Sequence, residues 1–219
     1  MTTIKICGIT QEEDALYCAK MQIDFIGLNL WPESPRSVTV GRAAEIVQKV
    51  RTRSNAPQIV LLDVSPTRED LIYAADVIQP DWLQIHGELP SGVIFKRDRS
   101  IFVTTEGRTI PLLKPFSVGC QEDVDEVNKW QADLILIDAK VHGMFGGTGQ
   151  QVDSKLLEGI RHRFILAGGL TPENVGAVIA KYNPVGIDVA SGVEFEPGKK
   201  SHNAIRDLKK AVGQRLPGA

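Results

Sequence analysis

Very little in this sequence suits cross-linking, metal binding or a membrane. Its three cysteines, Cys7, Cys18 and Cys120, are odd in number, widely spaced and in no Cys-x-x-Cys pair. That argues against a disulfide framework and for a reducing cytoplasm. The four histidines (His86, His142, His162 and His202) are scattered without a His-x-x-x-His spacing, so no metal-ligand pattern emerges. No run approaches the roughly 18 apolar residues needed to span a bilayer. The chain goes straight into "TIKIC", with no basic and then apolar leader segment. A formal charge of -2 gives no electrostatic ground for nucleic acid or an anionic membrane as partner. No linker, low-complexity tract or shift of composition divides the chain, which implies one domain over residues 1–219.

What is there is an alternation. Short β-type runs at residues 3–7, 24–29, 58–63 and 81–85 are separated by helix-type stretches at 11–20, 41–51 and from Thr67. Thr10 is the expected cap of the first helix. Pro66, with acids in the turn that follows, marks the start of the third. Between 88 and 109 the helical period is lost and β-branched residues take over, so a hairpin or irregular excursion competes with a fourth helix. Order returns with a strand at 111–115, a helix at 121–130 and the buried run "DLILID". A loop over 139–151, a helix from Asp153, the strand "RFILAG" and a helix at 172–181 follow. The strand "VGIDVA" and a helix from Ser201 close the series. Repeated β-then-α units imply parallel strands with helices outside, and about eight of them in 219 residues fit a closed (β/α)8 barrel.

In such a barrel the chemistry sits where strands end and loops begin. Cys7 ends the first strand, Arg36 lies in the loop after the second, and His86 follows the fourth. Asp138 ends the sixth, "AGGL" (with Gly168 and Gly169) the seventh, and "DVASG" (Asp188, Ser191, Gly192) the eighth. Each residue has a plainer reading. Glycine turns can be mere tight turns, yet two on adjacent strands also make a phosphate cradle, with a helix N-terminus behind Pro172 adding positive charge. "GMFGGTGQ" lacks the Lys-Ser/Thr ending of a P-loop and suits a mobile loop over the site. Arg36 is either a solvated surface residue or, as a rigid planar fork beside Pro35, a carboxylate binder. Asp138 either caps the next loop or, partly desolvated, stays protonated and donates. His86 is a ligand contact or a satisfied rim histidine; Asp188 orients a substrate hydroxyl or caps the "SG" turn. Free cysteine is a good core residue, the expectation for Cys18 and Cys120. Cys7 at a strand end near basic groups could instead be partly thiolate and act as a base.

The stretches "KICGIT", "SPRSV", "LQIHGE", "LILIDAKVHGMFGGTGQ", "LAGGLTPENV" and "GIDVASGVEFEPGKKS", in this order, resemble the phosphoribosylanthranilate isomerase family of tryptophan biosynthesis across nearly the whole chain. The resemblance implies a TIM barrel and an Amadori rearrangement of N-(5-phosphoribosyl)anthranilate to 1-(2-carboxyphenylamino)-1-deoxyribulose 5-phosphate. By the same resemblance Cys7 is the general base, Asp138 the general acid and Arg36 the binder of the anthranilate carboxylate. Gly168–Gly169 and Ser191–Gly192 hold the phosphate, and no cofactor or metal takes part. The expected partner is that small phosphosugar alone, bound by a cytoplasmic monomer or homodimer. Two stretches depart from the family's pattern: the third strand, "IVLLDVSP", and residues 88–109. The alternatives are the related isomerase of histidine biosynthesis, which has an aspartate where Cys7 stands, and a phosphate-binding barrel without turnover.

Overall fold

"TIKIC" shows in five residues how the chain divides its surface. Side chains alternate along a strand. Ile4 and Ile6 are fully buried in the large cluster formed with the helices, which sends Lys5 and Cys7 to the other face, into the barrel. The computed structural model describes residues 2–96, 99–130, 134–138 and 154–213. Its first four strands are β1 (Thr3–Cys7), β2 (Phe25–Asn29), β3 (Gln58–Val64) and β4 (Trp82–His86). Three short strands follow, β5 (Val93–Lys96), β6 (Arg99–Val103) and β7 (Thr109–Pro111), and then β8 (Lys114–Ser117), β9 (Ile135–Asp138), β10 (Phe164–Ala167) and β11 (Gly186–Val189). A hairpin, β12 (Glu194–Glu196) with β13 (Lys199–Lys200), comes last.

Eight of these strands form one parallel sheet in the order β4-β3-β2-β1-β11-β10-β9-β8. Its two ends meet through a single bridge, Leu83 to Leu112, and a 2.8 Å bond from Leu113 N–H to the Leu83 carbonyl. The (β/α)8 barrel expected from the alternation is therefore present and nearly closed. Around it run α1 (Glu12–Lys20), α2 (Val40–Arg51), α3 (Arg68–Ile78), α4 (Gln121–Lys129), α5 (Ser154–Glu158), α6 (Val175–Tyr182) and α7 (His202–Ala211). α2 shows why they form. Ala43, Ile46, Val47 and Val50 recur at helical spacing and are all buried, while the Thr39 hydroxyl accepts from Arg42 N–H to start the first turn. Among the described residues no helix is long and apolar enough to cross a membrane.

Among the described residues of 88–110 there is no helix. The chain leaves the barrel after β4 and makes an antiparallel sheet, β5-β6-β7, in place of the crossover helix. Arg68 donates to the Ser91 and Val103 carbonyls and stacks 5.4 Å from the buried Phe102 ring, which ties the excursion to α3. The expected strand at 111–115 is corrected here. Pro111 belongs to β7 and Lys114 opens β8, but Ile110, Leu112 and Leu113 are all buried, so the apolar run carries on through the break. Three smaller corrections concern caps and ends. α1 is preceded by Gln11, and the Thr10 hydroxyl donates instead to the Gly198 carbonyl at 2.5 Å. α6 begins at Val175 rather than at Pro172. Cys120 is exposed just ahead of α4 rather than buried in the core, whereas Cys18 is fully buried with its thiol pushed up to about 12 by burial.

Candidate active site

Seven of the nine residues singled out from the sequence line one cavity of about 240 Å³: Cys7, His86, Asp138, Gly168, Gly169, Asp188 and Ser191. They arrive from the C-terminal ends of β1, β4, β9, β10 and β11, the face where this architecture places its chemistry. Gly192 supports the wall from behind. A Cβ there would lie 1.9 Å from the Leu170 carbonyl oxygen, so only glycine lets the loops after β10 and β11 touch. Gly168 and Gly169 take φ of 103° and 61°, in the left-handed region. Their loop is held by Asn174, whose amide donates to the Gly169 carbonyl and accepts from Thr171 N–H. The expected helix N-terminus is three residues further on, so the cradle here is a turn of backbone. "GMFGGTGQ" lies outside the described residues.

Arg36 is the exception to the convergence. It sits at the rim against Gly8, where a Cβ would come within 2.6 Å of its Cδ, and it is not part of the cavity wall. Its Nε and Nη2 grip both oxygens of Glu194 at 2.7–3.0 Å. Glu194 also receives the buried Lys200 ammonium at 2.6 Å, and the same ammonium donates to the carbonyls of Cys7 (2.6 Å) and Ala190 (3.2 Å). Burial alone would push the Glu194 carboxyl up, but Arg36 and Lys200 outweigh it and hold it below the ordinary range. This clasp joins the β12–β13 hairpin to the base of Cys7.

Cys7 is set by its neighbours. Gly27 on β2 leaves it room: a Cβ there would be 2.8 Å from the sulfur. Beneath it the wholly buried Lys5 is paired with Asp188 Oδ2 at 2.7 Å. Burial works against the Lys5 charge, yet Asp188 and Cys7 outweigh it and keep the ammonium protonated. For Cys7 the balance goes the other way. Burial pushes the thiol up, with Asp188 adding to it, and the positive Lys5 and Lys200 only partly offset the rise. Burial thus favours the thiol as the resting form of Cys7, with the thiolate the minor one. Asp188 serves Lys5 rather than capping the "SG" turn, whose 3-10 helix has no side-chain cap. His86 accepts or shares a hydrogen with Gln84 Nε2 at 2.9 Å. Burial first, then the charges of Lys5 and Lys114, lower its pKa and leave the ring neutral.

Lys5, Gly27, Gln84, Glu194 and Lys200 were missed from the sequence. Only Lys5 carried a readable signal: a lysine flanked by isoleucines shares the inward face of its strand with Cys7. Glu194 and Lys200 acquire meaning only when the hairpin folds back over β1.

The arrangement has relatives. The family model for N-(5'phosphoribosyl)anthranilate (PRA) isomerase matches residues 4–211. The N-(5'-phosphoribosyl)anthranilate isomerase of Azotobacter vinelandii is 38% identical over 212 residues, covering 95% of this chain and 96% of that one. Among solved structures, phosphoribosyl anthranilate isomerase from Thermotoga maritima superposes with a TM-score of 0.76 at 30% identity, over 97% of this chain and 100% of that one. A phosphoribosyl anthranilate isomerase in complex with reduced 1-(o-carboxyphenylamino)-1-deoxyribulose 5-phosphate does so with a TM-score of 0.74 at 29% identity, over the same shares. By sequence and by fold, this chain belongs to the N-(5'-phosphoribosyl)anthranilate isomerase family.

Proposed function

We propose that the cavity isomerises N-(5'-phosphoribosyl)anthranilate to 1-(2-carboxyphenylamino)-1-deoxyribulose 5-phosphate, with Asp138 as acid and Cys7 as base. The observation that carries this is their convergence on one small cavity, with the turns of Gly168–Gly169 and Ser191 on the two strands between them. Asp138 gives its proton to the ring oxygen. The C1–O bond breaks as the anthranilate nitrogen lone pair forms a protonated imine at C1. That positive charge acidifies the C2 hydrogen, which the Cys7 thiolate removes, and the electrons left behind form the C1=C2 enolamine. Loss of the C2 hydroxyl proton and gain of a proton at C1 then give the ketone. C1 is reduced and C2 oxidised within one molecule, so no electron acceptor or cofactor is required.

The raised thiol makes Cys7 a strong base that is scarce at neutral pH. The Lys5 ammonium and the iminium supply the positive charge its anion needs. Arg36, fixed on one edge by Glu194, turns its other edge to the anthranilate carboxylate. The glycine turns and Ser191 hold the phosphate, and His86 and Asp188 meet the sugar. Three free cysteines support a cytoplasmic setting. Loss of anthranilate-type fluorescence from freshly made phosphoribosylanthranilate tests the proposal, with the aminoimidazole carboxamide ribotide of histidine biosynthesis as control. Turnover of the first substrate is expected. Turnover of the second alone would overturn the assignment.

A further inference from the structure

The cavity wall contains two buried acceptors with no hydrogen-bond partner among the described residues, Gln84 Oε1 and Asp188 Oδ1. A buried polar atom left in this way costs stability unless it meets a donor at some stage of the protein's work. For Asp188 the other oxygen is occupied by Lys5. For Gln84 nothing in the proposed proton transfers gives the side chain a task. It is 2% exposed, lines the cavity, and has the apolar Leu62 as its register partner on β3. A leucine or methionine in its place would avoid the penalty.

Its amide is oriented from the other side. Nε2 faces His86 Nε2 at 2.9 Å, and the neutral ring accepts there. Oε1 is thereby left to the cavity. β4 and β11 are four places apart in a ring of eight strands, so Gln84 and Asp188 occupy opposite sides of the floor. A ligand seated between them meets one acceptor from each side. A sugar with hydroxyls on adjacent carbons supplies the matching donors.

We propose that Gln84 is a further substrate-binding residue, whose Oε1 accepts a hydrogen bond from the C2 or C3 hydroxyl of the five-carbon phosphosugar, opposite Asp188. This rests on the phosphosugar reading of the site, and the test separates the two. Reductive amination of ribose 5-phosphate, 2-deoxyribose 5-phosphate and 3-deoxyribose 5-phosphate with anthranilate yields three ligands that differ by one hydroxyl. Calorimetry then gives their affinities for the wild-type chain and for Gln84→Met. The wild type should bind the full ligand about tenfold more tightly than a deoxy ligand, the usual worth of one such bond. Gln84→Met should erase that preference for one deoxy ligand and leave the other unchanged. Gln84→Glu keeps an acceptor and should keep the preference; should the methionine variant fail to fold, loss of preference in folded Gln84→Glu overturns the proposal. An equal loss of affinity for all three ligands in Gln84→Met, or an unaltered preference, also overturns it. A wild-type chain that binds all three alike rejects Gln84 alone, whereas one that binds none rejects the phosphosugar site and Gln84 with it.

Discussion

The two seams flanking the active cavity are built differently. Where β1 meets β11, four residue pairs continue the ladder. The Lys5–Asp188 pair crosses that seam at 2.7 Å, and Lys200 ties the Cys7 and Ala190 carbonyls to Glu194 just above it. Where β8 meets β4, one bridge and one backbone bond close the ring. The Lys114 ammonium reaches over to the Ile85 and Gly87 carbonyls at 3.3 and 2.9 Å. Beyond that seam an antiparallel sheet stands in for a helix. Cys7, Asp188 and the Ser191 turn belong to the first seam, while Gln84 and His86 belong to the second. Buried charge is costly to place and is justified where, in the proposed reaction, a thiol and a phosphate must be held to fractions of an ångström. A wall that binds the ligand but carries no reacting group can be closed with less.

The sharpest break of that comparison is at the reacting groups. Cys7→Ser and Asp138→Asn should each lower kcat by about 10²–10⁴-fold, the usual worth of one general acid or base, with smaller changes in KM. Steady-state fluorescence decides it, and full turnover by either variant would remove that residue from the chemistry. Next comes the clasp. Glu194→Ala leaves the Lys200 ammonium buried with carbonyls alone and frees Arg36. Removing one partner of a buried pair costs about 3–5 kcal/mol, measurable by urea unfolding. KM should rise more than kcat falls, because Arg36, the proposed binder of the anthranilate carboxylate, is loosened while Cys7 keeps its neighbours. Adding Lys200→Met should recover part of the stability, since the stranded charge is then gone.

The pH profile sharpens the same seam. Only the thiolate is a base, and burial raises the Cys7 thiol above its ordinary value despite Lys5 and Lys200. At neutral pH most of the enzyme therefore carries the thiol. The rate of Cys7 alkylation by iodoacetamide, read as the difference between wild type and Cys7→Ser, should climb about tenfold per pH unit through neutrality and level off only above about 8.5, the value of a free thiol. A plateau already reached near pH 7 would mean that the positive neighbours outweigh burial.

How much of this was legible depended on how local each signal was. The barrel follows from repeated periods within single segments. Cys7, Asp138 and the glycine turns follow from where those segments end, because strand ends in a parallel barrel share one face. The clasp could not be read. Glu194 and Lys200 look like ordinary exposed charges in "GVEFEPGKK", and their partners are Arg36 and the Cys7 carbonyl, 158 and 193 residues away. Gln84 was hidden for the opposite reason: it sits in "WLQIH", where one polar residue among apolar ones looks like a strand's solvent face. The replaced helix showed as a loss of period over 88–109, but nothing local said that the substitute would pair antiparallel beside α3.

The smallest expected effect tests the second seam, and it concerns Arg108. Its Nη1 donates to the Ala75 carbonyl at 3.2 Å and its Nη2 to the Pro80 carbonyl. One side chain thus fastens the excursion to the end of α3 and to the loop that enters β4. Both acceptors are carbonyls near a helix C-terminus, where a cation is favoured. Arg108→Ala should lower stability by about 1–2 kcal/mol, since these are charged hydrogen bonds at a half-buried position. If the β4–β8 side carries no reacting group and keeps its ligand contacts without Arg108, kcat/KM should stay within about twofold of wild type, far from the loss expected for Glu194→Ala. The two variants measured together, by urea unfolding and by fluorescence assay, separate wall from machinery. A fall in kcat for Arg108→Ala comparable to that of Cys7→Ser would show that the excursion reaches the reacting atoms through β4, and the two seams would then be one system.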